Sequence, residues 1–243
     1  MPPLAVLSDV HGNLPALRAV LADLAVVAPN APVWCAGDFV GYGPWPDECV
    51  QILAARSAKA VSGNYDEKTL AFPRKREKWR TSKDPRKFRA FEHAWENLSD
   101  ASRDYLAGLP IEARETFNGH KVLMTHIAPD DHKKYGLHPL TSPARFESIA
   151  HSARADVIVT GHTHWPMAKV INGVLFVNAG SAGRPGDGDG RAAYALLHLD
   201  ENAPPRAEIR RVAYPVEEVV AALGPACLPA EFAGLYRTGR GVL

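Results

Sequence analysis

Leu4-Ala5-Val6-Leu7-Ser8-Asp9-Val10-His11-Gly12-Asn13 is a short apolar run that ends in ligand-type side chains. The run predicts a buried strand, and the apolar spacing over residues 14–27 predicts a helix with Asn13 as its N-cap. Side chains two residues apart in a strand point the same way, so Asp9 and His11 present a carboxylate and an imidazole together. Beyond a strand end they lie where open α/β sheets bind ligands.

The composition is typical of a soluble globular protein. The chain has 243 residues, of which 46% are apolar and 23% are charged, and we predict a single domain over residues 1–243 with a cap insert. The net charge of +1 argues against wholesale coating of nucleic acid. Three cysteines without a CxxC motif indicate neither a disulfide framework nor a thiolate zinc site. Without a signal-peptide pattern or a membrane-length apolar run, we predict a cytoplasmic protein with no membrane partner.

Strands and helices alternate through the first part of the chain, which predicts a mainly parallel sheet. Further strands are predicted at 33–36, 58–61, 121–125 and 156–160, and helices at 46–55 and 144–151. Residues 67–118 are charged and aromatic, and we interpret them as a helical insert. Late strands are predicted at 168–171, 174–177, 193–199 and 207–212, then a helix at 216–223 and a less regular tail. The turn Asn172-Gly173 favours a hairpin between the first two late strands.

Metal-ligating groups follow five of the predicted strands. They are Asp9, His11, Asp38, Asn64, His126, His162 and His164. Nitrogen and oxygen donors without thiolate suit Mn, Fe, Zn, Co or Ni. Seven ligands are too many for one tetrahedral ion and suffice for two if one carboxylate bridges. Two divalent cations with only two carboxylates leave an electropositive centre, which suits an anionic substrate and the activation of water for attack on phosphorus.

These groups stand in segments that resemble the five motifs of the calcineurin-like metallophosphoesterases. The segments are Asp9-Val10-His11-Gly12-Asn13, Gly37-Asp38, Gly63-Asn64-Tyr65-Asp66, Thr125-His126 and Gly161-His162-Thr163-His164. Residues 178–185 resemble the loop that follows them in small bacterial and archaeal members. The resemblance implies an α/β fold, a four-layer α/β/β/α sandwich of two mixed β-sheets with a helical insert.

The same resemblance implies a ligand set for two divalent transition-metal ions, with Mn expected first and Fe, Zn, Co or Ni as alternatives. Asp9, His11 and His164 would hold one ion, Asn64, His126 and His162 the other, and Asp38 would bridge the two.

Tyr65 departs from the family pattern. Many members carry His at this position, where it contacts the substrate and protonates the leaving group. A phenol with a pKa of about 10 donates a hydrogen bond but is poorly matched to proton shuttling near neutral pH. Tyr65 resembles the small phosphodiesterase branch, so we predict that a metal-bound hydroxide attacks phosphodiester bonds of small or nucleotide-type substrates. A phosphomonoesterase or nucleotide phosphatase with the same site, and a non-catalytic binding scaffold, remain alternatives.

Four other residues carry two interpretations each. Asn13 either supports the metal ligands through its side chain or only caps its helix. Arg184, in the Gly-rich run 183–190, binds a phosphate oxygen or is an ordinary surface residue. His132 and His138 replace the missing acid or are exposed loop histidines.

A basic segment, residues 74–89, lies inside the insert. It contains nine basic side chains and only two acidic ones, Glu77 and Asp84. Its net charge is therefore +7, in a chain whose total net charge is +1. Three interpretations compete: a solvated helical cap, electrostatic steering of a phosphorylated small substrate, and nucleic-acid contact with Trp79 and Phe88 available for stacking.

Overall fold

The computed structural model describes residues 2–240, which contain ten strands and eight helices. The strands are β1 (Leu4–Leu7), β2 (Val33–Cys35), β3 (Ser57–Ala60), β4 (Glu112–Phe117), β5 (His120–Thr125), β6 (Val157–Thr160), β7 (Met167–Ile171), β8 (Val174–Asn178), β9 (Ala192–His198) and β10 (Arg206–Val212). The helices are α1 (Leu14–Val27), α2 (Pro46–Arg56), α3 (Asn64–Ser82), α4 (Pro85–Glu96), α5 (Asp100–Ala107), α6 (Pro143–Ser152), α7 (Val216–Leu223) and α8 (Phe232–Thr238).

The strands form two five-stranded sheets. The first has the order β10-β9-β1-β2-β3 and the second the order β4-β5-β6-β8-β7. In the first sheet β1, β2 and β3 are parallel, and β9 is antiparallel to β1. In the second sheet β5, β6 and β8 are parallel, with antiparallel β4 and β7 at its edges. Both sheets are therefore mixed, as the sequence predicts.

Alternating strand residues fill three apolar layers. In β1, Leu7 joins the cluster that contains Leu17 of α1, whereas Val6 points the other way and joins Met124 of β5 between the sheets. Phe146 of α6 packs in a third cluster on the far face of the second sheet. Three cores between four layers make an α/β/β/α sandwich, which confirms the predicted fold class. Because β1 is buried on both faces, its residues form a continuous apolar run.

The predicted helical insert differs from the structure at its C-terminal end. Helices α3, α4 and α5 occupy its first part, but residues 112–117 form β4, an edge strand antiparallel to β5. The two strands are joined at Asn118 and Gly119, whose positive φ angles are typical of a tight hairpin turn. The helical interpretation is wrong here because charged side chains are usual on an exposed edge strand, where they give a helix-like composition. Helix α8, in the tail, was also not predicted.

Candidate metal centre

Four strand ends and the N-terminus of α3 meet at one edge of the sandwich. Backbone hydrogen bonds join the loops after β1 and β2, since Asp9 N donates to Gly37 O at 2.9 Å and His11 N to Asp38 O at 3.0 Å. Gly161 N donates to the carbonyl of His126 at 2.9 Å, which joins the loops after β5 and β6. Parallel pairing therefore brings motifs that are distant in sequence to the same place.

Most of the predicted ligands have a left-handed backbone. The φ angles are 55° at Asp9, 51° at His11, 55° at Asp38, 67° at His162 and 59° at His164. Only Asp, Asn and His among the non-glycine residues visit this region at all readily, and each residue there costs about 1–2 kcal/mol. Such strain persists where the surrounding structure holds it, typically at functional sites. The loops thus turn these five side chains inward at an energetic cost.

Backbone carbonyl groups orient three of the imidazoles. Because a carbonyl oxygen only accepts, the Nδ1 of each of these histidines carries the proton and donates. The pairs are His11 with Val40 at 3.0 Å, His126 with Ala36 at 2.7 Å and His164 with Arg184. Their Nε2 lone pairs then face the centre, as in histidines that ligate metals. His162 has the opposite ring orientation from the other three histidines. Its Nε2 contacts Lys134 O at 3.2 Å, and its Nδ1 faces the centre.

Lone pairs meet at two points of the centre. His11 Nε2 lies 3.2 Å from His164 Nε2. Asn64 Oδ1 lies 2.8 Å from His162 Nδ1 and 3.2 Å from His126 Nε2. Acceptors at these distances repel one another unless a proton or a metal cation lies among them. The donor arrangement therefore fits bound cations at both points.

Asp9 contributes a carboxylate oxygen with no hydrogen-bond partner. Its Oδ2 accepts from Ser8 Oγ at 2.6 Å and from His162 N at 2.9 Å. Its Oδ1 is buried without a hydrogen bond and lies 3.1 Å from His164 Nε2. A buried charge without compensation is costly. This orphaned oxygen is the observation that best fits a resident metal ion.

Two candidate metal-binding triads share this carboxylate. One is Asp9, His11 and His164, and the other is Asp9, Asp38 and His126, with ligand atoms within 4.8 Å of one another in each. Asp38 Oδ2 lies 3.3 Å from His126 Nε2 and 3.7 Å from His11 Nε2, so it too stands between the triads. Asn64 and His162 adjoin the second triad through the contacts given above. The structure thus brings all seven predicted ligands together.

Charge and burial act in opposite directions in this cluster. Burial opposes ionisation of Asp9, but the imidazoles of His164 and His126 outweigh it and lower the pKa of this carboxyl. Burial also opposes protonation of His126, yet Asp38 outweighs it and raises the pKa of this imidazole to about 10. At His11 burial dominates and lowers the pKa to about 3. The carboxylates are therefore ionised and favour a cation, for which metal and proton compete.

Asp66 supports the centre from behind and had no predicted role. Its buried carboxylate accepts four backbone N–H groups, which are those of Gly63 (2.9 Å), Asp38 (2.9 Å), Phe39 (2.9 Å) and Val40 (3.3 Å). It thereby ties the loop after β2 to the start of α3, where the predicted ligands Asp38 and Asn64 lie. The signal was available, because an acidic residue three positions after a helix N-cap can accept from the N-cap backbone N–H, as Asp66 accepts from Gly63.

Tyr65 and Tyr42 stand beside His11. The ring centroids of Tyr65 and Tyr42 lie 5.1 Å and 5.3 Å from that of His11, both edge to face, and the two phenol hydroxyls are hydrogen-bonded to each other. Burial and the neighbouring Tyr42 raise the pKa of Tyr65 well above 10. The Arg184 guanidinium carbon lies 4.2 Å from the centroid of the Tyr42 ring. The structure thus places Tyr65 and Arg184 beside the centre.

Asn13 is engaged at both ends of its side-chain amide. Its Oδ1 accepts from Ala16 N at 3.1 Å, and its Nδ2 donates to Gly183 O at 2.7 Å. The N-cap alternative is therefore confirmed, and the same side chain anchors the backbone at Gly183, next to Arg184.

The two loop histidines differ in location. His132 is exposed and borders a small pocket beside Asn64 and His126, with its Nδ1 3.2 Å from Thr125 Oγ1. His138 packs on Trp165 with ring centroids 4.7 Å apart. Its described contacts include none of the predicted ligands. His132 is therefore the better placed of the two for contact with a substrate.

The basic segment 74–89 lies on α3 and α4. Four of its arginines form ion pairs: Arg76 with Glu92, Arg80 with Glu77, Arg86 with Asp84 and Arg89 with Glu92. Trp79 and Phe88 are half-buried against Phe72, with centroid distances of 6.4 Å and 5.3 Å. Packing between the helices thus occupies part of the aromatic surface that was predicted to be available for stacking.

Two mixed sheets with buried nitrogen and oxygen donors at their strand ends define an α/β protein with a candidate metal site. The chain belongs to the calcineurin-like phosphoesterase superfamily, whose domain model matches residues 3–202. An uncharacterized protein of Methanocaldococcus jannaschii is 29% identical over 235 residues, which cover 88% of this chain and 89% of the relative. No helix within residues 2–240 is long and apolar enough to cross a membrane.

Two solved structures share the fold. A metallophosphoesterase from Sphaerobacter thermophilus is 26% identical with a TM-score of 0.78, and the alignment covers 98% of this chain and 99% of that one. A hypothetical protein from Pyrococcus horikoshii OT3 is 21% identical with a TM-score of 0.87 over 100% of both chains.

Proposed function

We propose that the protein is a metal-dependent phosphoesterase that binds two divalent transition-metal ions, with Mn expected first, and hydrolyses phosphodiester bonds of small or nucleotide-type substrates. The observation that carries this proposal is the pair of triads that share Asp9, whose Oδ1 is buried without a hydrogen bond. Membership of the superfamily supports phosphoester chemistry at this site.

The seven residues predicted as ligands would divide between two positions. Asp9, His11 and His164 would hold one ion, and Asn64, His126 and His162 the other. Asp38 would bridge the two, with support from its distances to His126 and His11. Two bound cations would polarise a phosphoryl oxygen and lower the pKa of an attacking water. The protein contributes fixed imidazole orientations, because backbone carbonyl groups hold the Nδ1 atoms.

The surroundings of Tyr65 support a diester preference. Its raised pKa keeps the phenol protonated, so it can donate a hydrogen bond to the substrate but is a weak proton shuttle. Arg184, beside Tyr42, is placed to contact a phosphate oxygen, for which its guanidinium geometry is suited. A site with little acid assistance favours substrates whose leaving group departs without full protonation, such as activated or strained diesters.

The test compares bis-p-nitrophenyl phosphate with p-nitrophenyl phosphate, each with Mn²⁺ and after chelation. We expect Mn²⁺-dependent turnover with a larger kcat/KM for the diester, and loss of turnover in Asp9→Asn. A larger kcat/KM for the monoester would favour the phosphomonoesterase alternative. No turnover with Mn²⁺, Fe²⁺, Zn²⁺, Co²⁺ or Ni²⁺ would favour the binding scaffold and overturn the proposal.

A further inference from the structure

A row of aromatic rings extends from the candidate metal centre into the α3–α4 hairpin. It begins at Tyr42 and Tyr65, which both contact His11, and their centroids lie 4.9 Å apart. Phe91 of α4 follows at 4.9 Å from Tyr65, and Trp79 of α3 lies 5.5 Å from Phe91. Tyr42 and Phe91 are buried, and Tyr65 and Trp79 are half-buried, so the row lies just below the protein surface.

Each ring of this row has a cation beside it. Arg184 lies over Tyr42, and Lys68 Nζ lies 5.2 Å from the centroid of Tyr65. Lys83 Nζ lies 4.4 Å from the centroid of Trp79 and 5.6 Å from that of Phe91. Aromatic faces attract ammonium groups and pack against their alkyl chains, which holds these lysines in place.

The lysines beside this row of rings have no described ion pair with an acidic residue. Among residues 2–240, no carboxylate forms an ion pair with Lys68, Lys83 or Lys87, whereas four of the five arginines of the same hairpin have one. Burial together with the charges of Lys83 and Lys87 lowers the pKa of Lys68. Burial and Lys87 likewise lower the pKa of Lys83. Because the rings of Tyr65 and Phe91 are in contact, Lys68 and Lys83 stand over neighbouring rings, and a bound anion would offset the repulsion between them.

This lysine group adjoins the metal centre. The Tyr65 ring contacts both Lys68, which lies over its face, and His11, which it meets edge to face. The charge of Asp38 also acts on Lys68. An anionic group held by the lysines would therefore lie next to a phosphoryl group at the centre and could belong to the same small molecule.

We propose that Lys68 and Lys83 form an anion subsite beside the metal centre, and that this subsite binds a second phosphate group of the substrate. The inference rests on the proposed function and narrows its substrate class to small phosphodiesters that carry an additional terminal phosphate. It also explains the charge of this part of the hairpin without requiring a long nucleic acid.

The kinetic test uses three dinucleotides with Mn²⁺: thymidylyl-thymidine (TpT), its 5′-phosphorylated form (pTpT) and its 3′-phosphorylated form (TpTp). We expect the KM of one phosphorylated form to be about tenfold lower than that of TpT, which corresponds to about 1.4 kcal/mol of binding. Lys68→Met and Lys83→Met reduce this preference to less than about twofold. Lys78→Met removes the same charge from an exposed lysine of α3 that has no described contact with the ring row, and it should retain the preference.

A binding measurement on chelator-treated protein separates this inference from the proposed function. Titration calorimetry with inorganic pyrophosphate should show binding that weakens about tenfold in Lys68→Met and Lys83→Met but not in Lys78→Met. Equal affinity in all variants, or equal KM for the three dinucleotides, would overturn the subsite. If bis-p-nitrophenyl phosphate is hydrolysed while these comparisons fail, only the subsite is wrong. If no phosphoester is hydrolysed, the proposed function is wrong, and pyrophosphate binding still decides the subsite.

Discussion

His11 Nε2 and His164 Nε2 lie 3.2 Å apart across the centre, and in both residues Nδ1 is hydrogen-bonded to a backbone carbonyl. Neither imidazole can turn its protonated nitrogen inward without breaking that hydrogen bond. The contact therefore joins two lone pairs, beside the unpartnered Oδ1 of Asp9. A bound cation converts this repulsion into attraction, so folding and metal binding should be linked.

The first prediction concerns this linkage. A ligand that binds only the folded state at one hundred times its Kd stabilises it by about 2.7 kcal/mol. For a chain of this size, this raises the Tm by about 5–10 °C. We expect Mn²⁺ to produce such a shift in chelator-treated wild type and much less in Asp9→Asn, as measured by differential scanning calorimetry. Glu201→Gln, at an exposed residue, serves as control. An equal shift in Asp9→Asn would contradict the assignment.

The second prediction concerns Asp66. Asn at this position offers one oxygen to four backbone N–H donors and turns an NH₂ group toward some of them. Leaving buried donors unsatisfied should lower the free energy of unfolding by about 3 kcal/mol. Urea denaturation measures this loss. Asp104→Asn, at an exposed residue of α5, should change stability by less than about 0.5 kcal/mol. Similar losses in the two variants would show that the Asp66 network is not stabilising.

The third prediction concerns Gly63, where the backbone of two loops comes into close contact. A Cβ at this position would lie 2.1 Å from the backbone N of Asp38 and 2.2 Å from its Oδ1. Gly63→Ala should therefore displace Asp38, destabilise the protein and abolish hydrolysis. Gly224→Ala is the matched control, because its Cβ would meet nothing within 4 Å. Retention of wild-type activity and Tm in Gly63→Ala would contradict the close packing of these loops.

The fourth prediction is a pH dependence away from the centre. Asp23 of α1 accepts from Tyr194 Oη at 2.7 Å and from Arg210 at 2.9 Å and 3.1 Å. The hydrogen bonds from Arg210 lower the pKa of Asp23 from its usual 3.8. A lowered pKa means that the stabilisation is complete above pH 3.8 and is lost as the pH falls through the folded-state pKa.

Asp23→Asn should therefore cost about 1–3 kcal/mol at pH 7. The difference in unfolding free energy from wild type should shrink below about pH 4. Urea denaturation at several pH values tests this. Glu217→Gln breaks an exposed pair with Arg237 and should have far less effect. A stability difference that is constant down to pH 2 would show that ionisation of Asp23 is not involved.

The fifth prediction concerns proton donation at Tyr65. Because an imidazole titrates near neutral pH, Tyr65→His should raise the ratio of monoester to diester kcat/KM by about tenfold or more. Tyr65→Phe removes only the hydroxyl group and should change kcat for bis-p-nitrophenyl phosphate by less than about tenfold, since p-nitrophenolate needs little protonation. If Tyr65→His leaves the ratio unchanged, Tyr65 does not determine substrate preference.

The sequence predicts the strands that build the centre because their apolar runs are short, buried and followed by polar groups. Strand β1 is an example: both faces are covered, so no alternation obscures the pattern. Strand β4 shows the opposite case, because Glu112, Arg114 and Glu115 lie on an edge strand where burial imposes no pattern. Which strands pair at the edge of the second sheet is decided by long-range contacts that local composition does not record.

The ligand types could be identified from motifs, but not the network that holds them. The left-handed backbone of Asp9 or His162 depends on hydrogen bonds between loops, and the contact of Tyr42 with His11 joins residues that no spacing rule connects. The resemblance assigned the bridge to Asp38, whereas the structure also places Asp9 in both triads. Such roles depend on angstrom-scale geometry, which a sequence pattern does not contain.

The positive φ angles at the five predicted ligand positions affect which substitutions can stabilise the protein. Glycine would relax the main chain there and stabilise the protein by about 1 kcal/mol per position, yet it would remove a side chain that is proposed to bind metal. At these sites, substitutions that increase stability are therefore expected to reduce activity. A thermostabilised variant selected without an activity screen should lose its ligands at these positions first.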